Sequence, residues 1–516
     1  MQMIYGVKDR PPVGRLILFA LQQLLAILAA TIAVPMIINS GTDYANPHMS
    51  PSAALLGAGV GTIIYLLFTK FKSPVFLGSS FAFLGSMSAA FAGAATTSLG
   101  YLGLIIGAIM AGLVYVIIAV IVKFAGTKWV DKIMPAVVIG PTVAIIGLSL
   151  AGNAIGDLMK GNVSVTVQIE QVVEHFVNGE LVKDTLLVPS SQMLCSPFIA
   201  LLCGLVTLAV TIVCSVYGKK LMKMIPFIIG ILSGYALAAI FTGFSYIEGA
   251  ECLRVIDFSA FNNMQWYPDL ALVSAIGDLG DAGAIGTYIG KIAVAYIPVA
   301  FVVFAEHIAD HKNISSIIEH DLLKDPGLSR TILGDGVGSM VGAVFGGCPN
   351  TTYGESVGCV AISGNASIIT IFVTACMAIV CAFIAPFTTF LSTIPSCVMG
   401  GVCVALYGFI AVSGLKMVQK VDLGDNKNLF VVSVILIAGV GGMVLNFGEV
   451  TITEVACALI LGILVYLLVN IKGKKKKDEN EQLVMEEVTA GDILTEEVAV
   501  QETKTEENEE NANEEL

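Results

Sequence analysis

Charged residues are scarce in this chain of 516 residues. Asp, Glu, Lys and Arg make up 13% of it, 56% is apolar, and the mean hydropathy is +0.85. Soluble globular proteins carry about 25% charged residues, so this composition excludes an ordinary soluble protein. Lys and Arg cluster only at 474–477, which excludes the basic surface that nucleic-acid binding requires. The sequence therefore predicts a membrane protein that binds no nucleic acid.

Cysteine pairs are also lacking. None of the 11 cysteines forms a C-x-x-C pair, and most lie inside apolar runs. They indicate small buried side chains rather than a metal or disulfide framework, and no cofactor is predicted. Only Cys195 and Cys252 lie outside the long apolar runs, so a single disulfide between them stays an open alternative.

The formal net charge of −13 comes from the C-terminal region. Residues 478–516 hold 15 of the 40 acidic residues and one of the 27 basic residues, so 25 acids and 26 bases remain in residues 1–477. A Glu-rich segment without aromatic residues predicts disorder. The lysines at 474–477 follow the last apolar run, and we expect them to contact anionic lipid.

Apolar runs of about 20 residues, the length that a helix needs to span a bilayer, recur along the chain. We predict twelve full spans and two shorter segments rich in Gly, Ser and Thr, at about 75–92 and 347–364. The full spans run over about 14–38, 52–69, 100–122, 133–152, 196–217, 222–243, 287–309, 328–346, 366–391, 395–415, 429–447 and 452–471.

The positions of Lys and Arg predict the orientation, because short cytoplasmic loops are enriched in them. If all fourteen segments cross and the N-terminus is inside, 23 of 27 basic residues lie on the inner side. Those outside are Lys160, Lys183, Arg254 and Lys291. Both termini are then cytoplasmic, with outer loops at about 153–195 and 244–286.

The fourteen predicted segments divide into two halves of seven, and each short segment is the third of its half. An odd number of crossings per half makes the second half enter from the opposite side, so the repeat is inverted. Paired, interrupted short segments indicate a transporter site at the midplane of the membrane. The alternative is two re-entrant loops in a channel. The predicted fold class is an all-α polytopic membrane protein with fourteen segments in a 7+7 inverted repeat, in which segments 3 and 10 each carry a short extended stretch.

Two acidic residues lie deep in predicted segments, where ionisable side chains usually mark a site. Glu306 follows an apolar run, and Glu355 begins the helix after Thr-Thr-Tyr-Gly. Alternatively, Glu306 lies near the inner surface, and Glu355 is a carboxylate stabilised by its own helix dipole. Asp310 is one turn from Glu306 on the same helical face, so it is placed to relay protons.

His307 and His311 are spaced to share one helical face. A zinc-protease helix requires H-E-x-x-H, whereas here Glu306 precedes the first histidine and no third ligand is identifiable. No metal site is predicted, and a polar helix end at the membrane interface is the favoured interpretation. An intramembrane metalloenzyme built on both histidines is kept as an alternative function of a different class.

Short polar stretches precede both predicted half-helices. Ser80 lies before Phe81, and Thr352 lies before Tyr353. A helix start presents unpaired N–H groups, which suit carbonyl oxygens, while carboxylates accept N–H bonds. A neutral ring with alternating N–H and C=O groups would find partners throughout. Tyr353 and Tyr407 are candidate aromatic walls, with ordinary packing as the alternative.

The chain resembles the nucleobase/ascorbate transporter family, and within it the bacterial uracil permeases, from about Gly6 to Ile471. The segments that carry the resemblance are Arg10-Pro-Pro12, Leu21-Gln-Gln23, Ala30-Thr-Ile-Ala-Val-Pro35, Leu77-Gly-Ser-Ser-Phe-Ala-Phe83, Ala305-Glu-His-Ile308, Asp321-Leu-Leu-Lys-Asp-Pro-Gly-Leu328, Pro349-Asn-Thr-Thr-Tyr-Gly-Glu355, Val398-Met-Gly-Gly401 and Leu406-Tyr-Gly408. The resemblance implies import of uracil by proton symport across a bacterial cytoplasmic membrane, with alternating access and a homodimer. A xanthine or other purine symporter on the same fold is the alternative.

The resemblance also implies a core domain of segments 1–4 and 8–11 and a gate domain of segments 5–7 and 12–14. On this chain the parts are the cytoplasmic N-terminus 1–13, core parts 14–128 and 287–391, gate parts 129–243 and 392–471, the outer loop 244–286, and the acidic cytoplasmic tail 472–516.

Transferred to the matching positions, the family pattern implies a substrate site and a proton site. The carboxylates of Glu306 and Glu355 would bind the base, and the N–H groups of Phe81 and Gly354 would donate to it. The site would be lined by Ala30, Tyr353 and Tyr407, the proton shared among Glu306, Glu355 and Asp310, and auxiliary roles taken by Gln23, His307 and Ser80.

Three features differ from the family pattern. Relatives commonly have His at position 23, and uracil permeases often have His at position 310. The signature after the second Glu usually reads Glu-Asn-x-Gly and ends in Thr, whereas this chain has Glu355-Ser-Val-Gly358 and ends in Ser363. Purine carriers typically have Gln at position 355, so Glu355 favours uracil.

Overall fold

A computed structural model describes residues 3–41, 49–177, 180–219, 221–280, 282–447 and 450–471. The predicted disordered tail 472–516 and its lipid-contacting lysines lie outside the described residues. The helices in the described ranges are α1 (Val13–Gly41), α2 (Pro51–Phe68), α3 (Leu84–Ala92), α4 (Thr97–Ala125), α5 (Lys128–Ile133), α6 (Ala136–Ser149), α7 (Ala151–Asp157), α8 (Pro197–Tyr217), α9 (Leu221–Met224), α10 (Pro226–Phe244), α11 (Ala271–Ser274), α12 (Ala282–Ile317), α13 (Leu328–Gly346), α14 (Gly354–Ser363), α15 (Ile368–Cys381), α16 (Ala385–Ser392), α17 (Ser396–Gln419), α18 (Asn426–Val440) and α19 (Glu454–Asn470). The strands are β1 (Leu77–Ser79), β2 (Ser164–Val177), β3 (Glu180–Met193), β4 (Asn350–Thr352), β5 (Leu445–Phe447) and β6 (Val450–Ile452).

Eight helices in the described ranges are long and apolar enough to cross a membrane, so the chain is a multi-pass membrane protein. A ninth span results if α15 and α16, which are bent by 84° relative to each other, count as one. The predicted total of fourteen is not confirmed. Helix α13 carries Arg330 and Asp335, α18 and α19 have only 15 and 17 residues, and α3 and α14 are short.

Prolines begin several of the apolar helices. Pro51, Pro197 and Pro226 occupy the first turn of α2, α8 and α10. A proline there loses no hydrogen bond, because the first N–H groups of a helix have no partner within it, and its fixed φ suits the helix. At α2 the Ser50 hydroxyl also accepts from the Ala53 N–H.

The described residues are mostly helical, as predicted, but the predicted outer loop at 153–195 departs from an all-α fold. Its central part is a long antiparallel hairpin of β2 and β3, in which Ser164 pairs with Met193 and Val177 pairs with Glu180. Residues Val165–Phe176, which have an amphipathic pattern, are therefore strand. Their Val, Ile and Thr residues favour a pleated strand. Cys195 and Cys252, beside this loop, are both free thiols.

The membrane helices pack in two groups. In one, α2 packs against α13 and α15, α4 packs against α12 and α13, and α1 packs against α15. In the other, α17 packs against α6 and α8, α8 against α10, and α18 against α19 and α6. Helices α1 and α12 of the first group contact α10, α17, α6 and α19 of the second. The two extended strands β1 and β4 lie within the first group.

An exposed ion pair links the segments that follow α2 and precede α13. The Lys72 ammonium lies 2.5 Å from a carboxylate oxygen of Asp325, and His320 lies 3.6 Å from the other oxygen. The hydrogen bond from Lys72 lowers the pKa of the Asp325 carboxyl below its usual value. Both side chains are well exposed, so solvent screens this link and it contributes little to stability.

Candidate functional site

Two extended strands, β1 and β4, pair within the first helix group. We call this strand pair, together with the two helix starts that follow it at Phe81 and Gly354, the crossing. Strands β1 and β4 are antiparallel, with Leu77 opposite Thr352 and Ser79 opposite Asn350. Beyond the ladder, the Ser80 N–H donates to the Pro349 carbonyl at 2.9 Å, and the Tyr353 N–H donates to the Phe76 carbonyl at 3.2 Å. Strand β1 leads into a 3-10 turn at Phe81–Phe83 that precedes α3, and strand β4 leads into α14.

The crossing depends on a close approach that only glycine allows. A Cβ atom at Gly78 would collide with the ring of Tyr353. That ring is buried, and its hydroxyl donates to the Ser79 carbonyl at 2.8 Å. Gly78 therefore lets the phenol ring lie flat across β1 and anchor on the next residue.

We expect Gly78→Ala to lower the free energy of unfolding by about 1–3 kcal/mol, the usual cost of overpacking a dense interior. The measurement is the thermal unfolding midpoint of the purified protein in detergent. Gly290→Ala is the control, because a Cβ there meets no atom within 4 Å. Equal midpoints for the two variants would show that Tyr353 can move aside at no cost.

Two amide groups at this crossing have no internal partner. Neither the Phe81 N–H nor the Gly354 N–H finds a hydrogen-bond acceptor among the described residues. Gly354 is exposed, whereas Phe81 is buried. Both groups stand where a helix begins, so two donors are available to a ligand at the crossing.

Three carboxylates surround the crossing. Glu306 and Asp310 project from α12, which packs against β4, α14 and the turn at 81–83, and Glu355 is in the first turn of α14. Glu306, Asp310 and Glu355 interact electrostatically with one another. All three are partly buried. One oxygen of Glu306, Oε2, is buried and has no donor among the described residues.

Asp310 is fixed in position by β4. Its Oδ2 accepts a hydrogen bond from the Thr352 hydroxyl at 2.8 Å. Its other oxygen lies 3.8 Å from the position that a Cβ at Gly354 would occupy. The side chain of Asp310 thus extends from α12, which also carries Glu306, to the N-terminus of α14, which carries Glu355.

The predicted lining residues lie in or beside the crossing. Tyr407 of α17 contacts Phe81 edge to face, with ring centroids 5.5 Å apart. This contact links the two helix groups. Ala30 is fully buried on α1, which packs against β1 and α14. Ser80 is buried, and its hydroxyl has no partner among the described residues.

Gln23 acts on the site through Ser356. Its amide nitrogen donates to the Ser356 hydroxyl oxygen at 2.6 Å, and that oxygen also accepts from the Phe76 N–H at 3.1 Å. The serine therefore ties α1, the segment before β1 and the first turn of α14 together. Gln23 is therefore a structural neighbour of the site.

The interpretation of His307 and His311 as a polar helix end at the membrane interface is wrong. Both side chains are fully buried, and α12 continues beyond them to Ile317. His307 contacts Asp335 and Thr331, and His311 contacts Tyr65. No group of three or more His, Cys, Asp or Glu in the described ranges could hold a metal ion.

Sequence reasoning gave no role to Asp335 or Gly78, and it noted Thr352 and Ser356 only by their place in a motif, without their contacts. Asp335 could have been found, because a carboxylate inside a predicted span is itself a signal of function. Thr352 and Ser356 carry no such signal, since small hydroxyl residues are common at strand and helix ends. Their partners depend on the chain crossing.

One side of α14 is open. Gly354 is exposed, and Glu355 and Gly358 are partly exposed. A Cβ at Gly358 would meet nothing within 4 Å, and the same holds for Gly408 of α17. The carboxylate of Glu355 is therefore reachable along this side of its helix.

The sequence profile of a permease family named for xanthine and uracil matches residues 14–199 and 179–447. The uracil permease of Bacillus caldolyticus is 37% identical over 482 residues, covering 92% of this chain and 96% of that protein. The uracil permease of Bacillus subtilis (strain 168) is 34% identical, and the match covers 92% of this chain and 98% of that protein. That of Escherichia coli (strain K12) is 34% identical, covering 90% and 94%.

Solved structures of transporters share the fold. The transmembrane domain of the cyanobacterial bicarbonate transporter BicA superposes with a TM-score of 0.53 at 13% identity, covering 89% of this chain and 99% of that one. The structure of SLC26A9 gives a TM-score of 0.57 at 11% identity, covering 90% and 67%. These identities support the architecture alone. The relatives are named permeases and not enzymes, and the family match spans most of the membrane region: the chain is a membrane transporter that belongs to the xanthine/uracil permease family.

Proposed function

We propose that the protein is a secondary active transporter that imports uracil by proton symport. The observation that carries the proposal is the buried Glu306 oxygen without a donor, which lies in a cluster with Glu355 beside two unpaired amide groups. Uracil offers two N–H donors and two carbonyl acceptors on one ring, which complement such a set. The similarity to curated uracil permeases supports this choice of base.

In the proposed binding mode, the carboxylates of Glu306 and Glu355 accept the ring N–H groups. The amides of Phe81 and Gly354 donate to the ring carbonyls. Tyr353, Tyr407 and Ala30 line the ring, and the apolar contacts exclude water. Charge-assisted hydrogen bonds in such a setting are the strong ones, so the carboxylates supply most of the specificity.

Alternating access is proposed to move the first helix group against the second. The first group corresponds to the core domain, segments 1–4 and 8–11, and the second to the gate domain. Each half places an extended strand and a short helix after two long helices, which supports fourteen segments in an inverted 7+7 repeat. The Phe81–Tyr407 contact bridges the two groups, and the open side of α14 supplies an exit path.

The proposed setting is a bacterial cytoplasmic membrane with both termini inside, on the basis of the distribution of Lys and Arg. The family resemblance adds a homodimer as the proposed assembly. Protons are the proposed coupling ion, held by Glu306, Glu355 and Asp310.

A xanthine or purine symporter is the second candidate, favoured by Asp310, where uracil permeases often have His. Glu355 argues against it. We expect unlabelled uracil to abolish the uptake of labelled uracil in proteoliposomes and equimolar xanthine to leave it nearly unchanged. Thymine should compete to an extent set by the space around its methyl group. Inhibition by xanthine at least as strong as that by uracil would replace the first candidate with the second.

A further inference from the structure

A buried histidine–aspartate pair lies directly behind Glu306. His307 Nδ1 is 2.7 Å from Asp335 Oδ2, and its Nε2 is 3.0 Å from the Thr331 hydroxyl. Both residues of the pair are fully buried, and the contact joins α12 to α13. Nothing in the proposed binding or coupling of uracil uses it.

The hydrogen bonds determine where the protons lie. When the Thr331 hydroxyl donates its one hydrogen to the Leu328 carbonyl at 3.1 Å, it accepts from His307 Nε2. That nitrogen is therefore protonated. The bond between Nδ1 and Asp335 then needs one more proton, carried either by the imidazole or by the carboxyl group. In both arrangements the pair has no net charge.

Loss of this proton would place a nitrogen lone pair against a carboxylate oxygen at hydrogen-bond distance. Such a contact is repulsive and buried, with no water to separate the groups. The second oxygen of Asp335 has no partner among the described residues, so no other contact there would hold the carboxylate. The link between α12 and α13 is therefore weaker without the proton, because keeping it would require the imidazole to change tautomer and the Thr331 hydroxyl to give up its bond to the Leu328 carbonyl.

Other titratable groups face the pair from each neighbouring element. Glu306, Asp310 and His311 lie on α12 itself, and the His307 and His311 rings stack with centroids 4.0 Å apart. Tyr115 of α4 interacts electrostatically with Asp335 and Glu306, and Tyr65 of α2 does so with Asp335 and Asp310. Glu355 of α14 interacts with Glu306.

His311 is neutral in the simplest arrangement of these bonds. Its Nδ1 donates to the His307 carbonyl, which can only accept. The Tyr65 hydroxyl lies 2.7 Å from Nε2 but donates its hydrogen to Ser73, whose own hydroxyl lies 3.4 Å from Nε2 and is the donor that Nε2 accepts from. The stacked histidine therefore supplies no second positive charge to the pair.

We propose that the His307–Asp335 pair is a proton-dependent latch that positions Glu306 for its ligand. The latch fixes the turn of α12 that bears Glu306 and Asp310 against α13, so Asp335 is a positioning residue that acts through His307. The role of the latch in uracil binding rests on the proposed function, whereas the latch itself rests on the contacts between α12 and α13.

The test compares Asp335→Asn with Asp335→Leu. An asparagine N–H can donate to His307 Nδ1 at every pH, so this variant keeps the latch closed without a labile proton. Leucine has a similar size and no donor. By calorimetry, we expect Asp335→Leu to weaken uracil binding at least about tenfold at neutral pH, as the loss of one strong buried hydrogen bond would. Its difference from wild type should narrow at alkaline pH, where the wild-type latch also opens. The Asp335→Asn variant should bind uracil nearly as well as wild type at neutral pH, and it should lose less affinity than wild type at alkaline pH.

Three results would overturn the latch. Wild-type affinity in Asp335→Leu would remove the pair from binding. Equal weakening in both folded variants would show that the proton itself, and not the link, is required. An alkaline decline in Asp335→Asn identical to that of wild type would show that the titrating group lies elsewhere.

The thermal unfolding midpoint without ligand separates this proposal from the proposed function. The latch predicts that the wild-type midpoint falls at alkaline pH more than the midpoint of Asp335→Asn does. If that pattern holds and wild type binds no uracil, the substrate is wrong and the latch stands. If uracil binds and the pattern is absent, the latch is wrong.

Discussion

Glu306→Gln is expected to insert normally and to bind uracil roughly 10- to 100-fold more weakly than wild type. A hydrogen bond to a charged group contributes about 1.5–3 kcal/mol, and each 1.4 kcal/mol changes affinity about tenfold. The buried oxygen of Glu306 without a donor is the acceptor at stake. A glutamine would present an N–H in place of one acceptor, and a ring N–H facing it would be left unpaired.

Glu355→Gln is expected to have an effect in the same range. Its carboxylate lies in the first turn of α14, where the helix dipole favours a negative charge. A glutamine at this position carries no negative charge for the helix dipole to stabilise, and it has one hydrogen-bond acceptor oxygen fewer than the carboxylate. Calorimetry on purified protein measures both variants, with membrane insertion checked by monodispersity and thermal midpoint.

The matched control is Glu319→Gln, which removes an exposed carboxylate just beyond α12. It makes the same chemical change outside the crossing, so its affinity should equal that of wild type. If Glu306→Gln or Glu355→Gln also bound uracil like wild type, that carboxylate would be structural and the proposed binding mode would fail at that residue.

Much of the fold follows from local properties of the sequence. Long apolar runs predict spanning helices, and α1, α4 and α17 are found close to the predicted positions. The extended stretches before α3 and α14 follow from small polar residues next to a helix start. These features depend on residues within a few positions of one another, which is why they can be predicted.

Features that depend on distant pairing could not be predicted. The hairpin of β2 and β3 requires two strands to align in register, and either strand alone is compatible with a polar loop. The bend between α15 and α16 has a local signal in Pro386, and the end of α18 has one in Gly441 and Gly442, but the long apolar runs around them outweigh these signals in the prediction. The apolar composition of these segments favours straight continuation.

In the candidate site, sequence reasoning found the acidic residues but not their supports. Glu306 and Glu355 are costly in a membrane and therefore conspicuous. His307 is buried beside Asp335, which lies 28 positions away in the chain and meets it only in the folded protein. A polar run at the end of an apolar segment looks the same whether its partners are water or a neighbouring helix.

Asp310→Asn is expected to keep equilibrium uracil binding and to lose proton-driven accumulation in vesicles. Asparagine can still accept the Thr352 hydrogen bond with its carbonyl oxygen, so the geometry around β4 is preserved. What it loses is the ability to bind and release a proton. Asp310 is one turn from Glu306 and interacts electrostatically with it, so it is placed to take the proton that the substrate-binding carboxylate releases.

The expected pattern is a separation of two transport modes. Exchange of internal for external uracil needs no net proton movement and should continue. Uphill uptake driven by an imposed pH gradient should fall to the level of passive equilibration. Both modes can be measured in the same proteoliposomes with labelled uracil, so a folding defect, which would lower both, is recognised directly.

Thr352→Val is the control that isolates the proton from the hydrogen bond. It removes the hydroxyl that donates to Asp310 Oδ2 at 2.8 Å but leaves the carboxyl group in place, so accumulation should persist even if its rate changes. If Asp310→Asn accumulates uracil at the wild-type rate and with the wild-type pH dependence, the coupling proton resides on Glu306 and Glu355 alone. If Thr352→Val abolishes accumulation as fully as Asp310→Asn does, the position of the carboxyl group, and not its proton, is what transport requires.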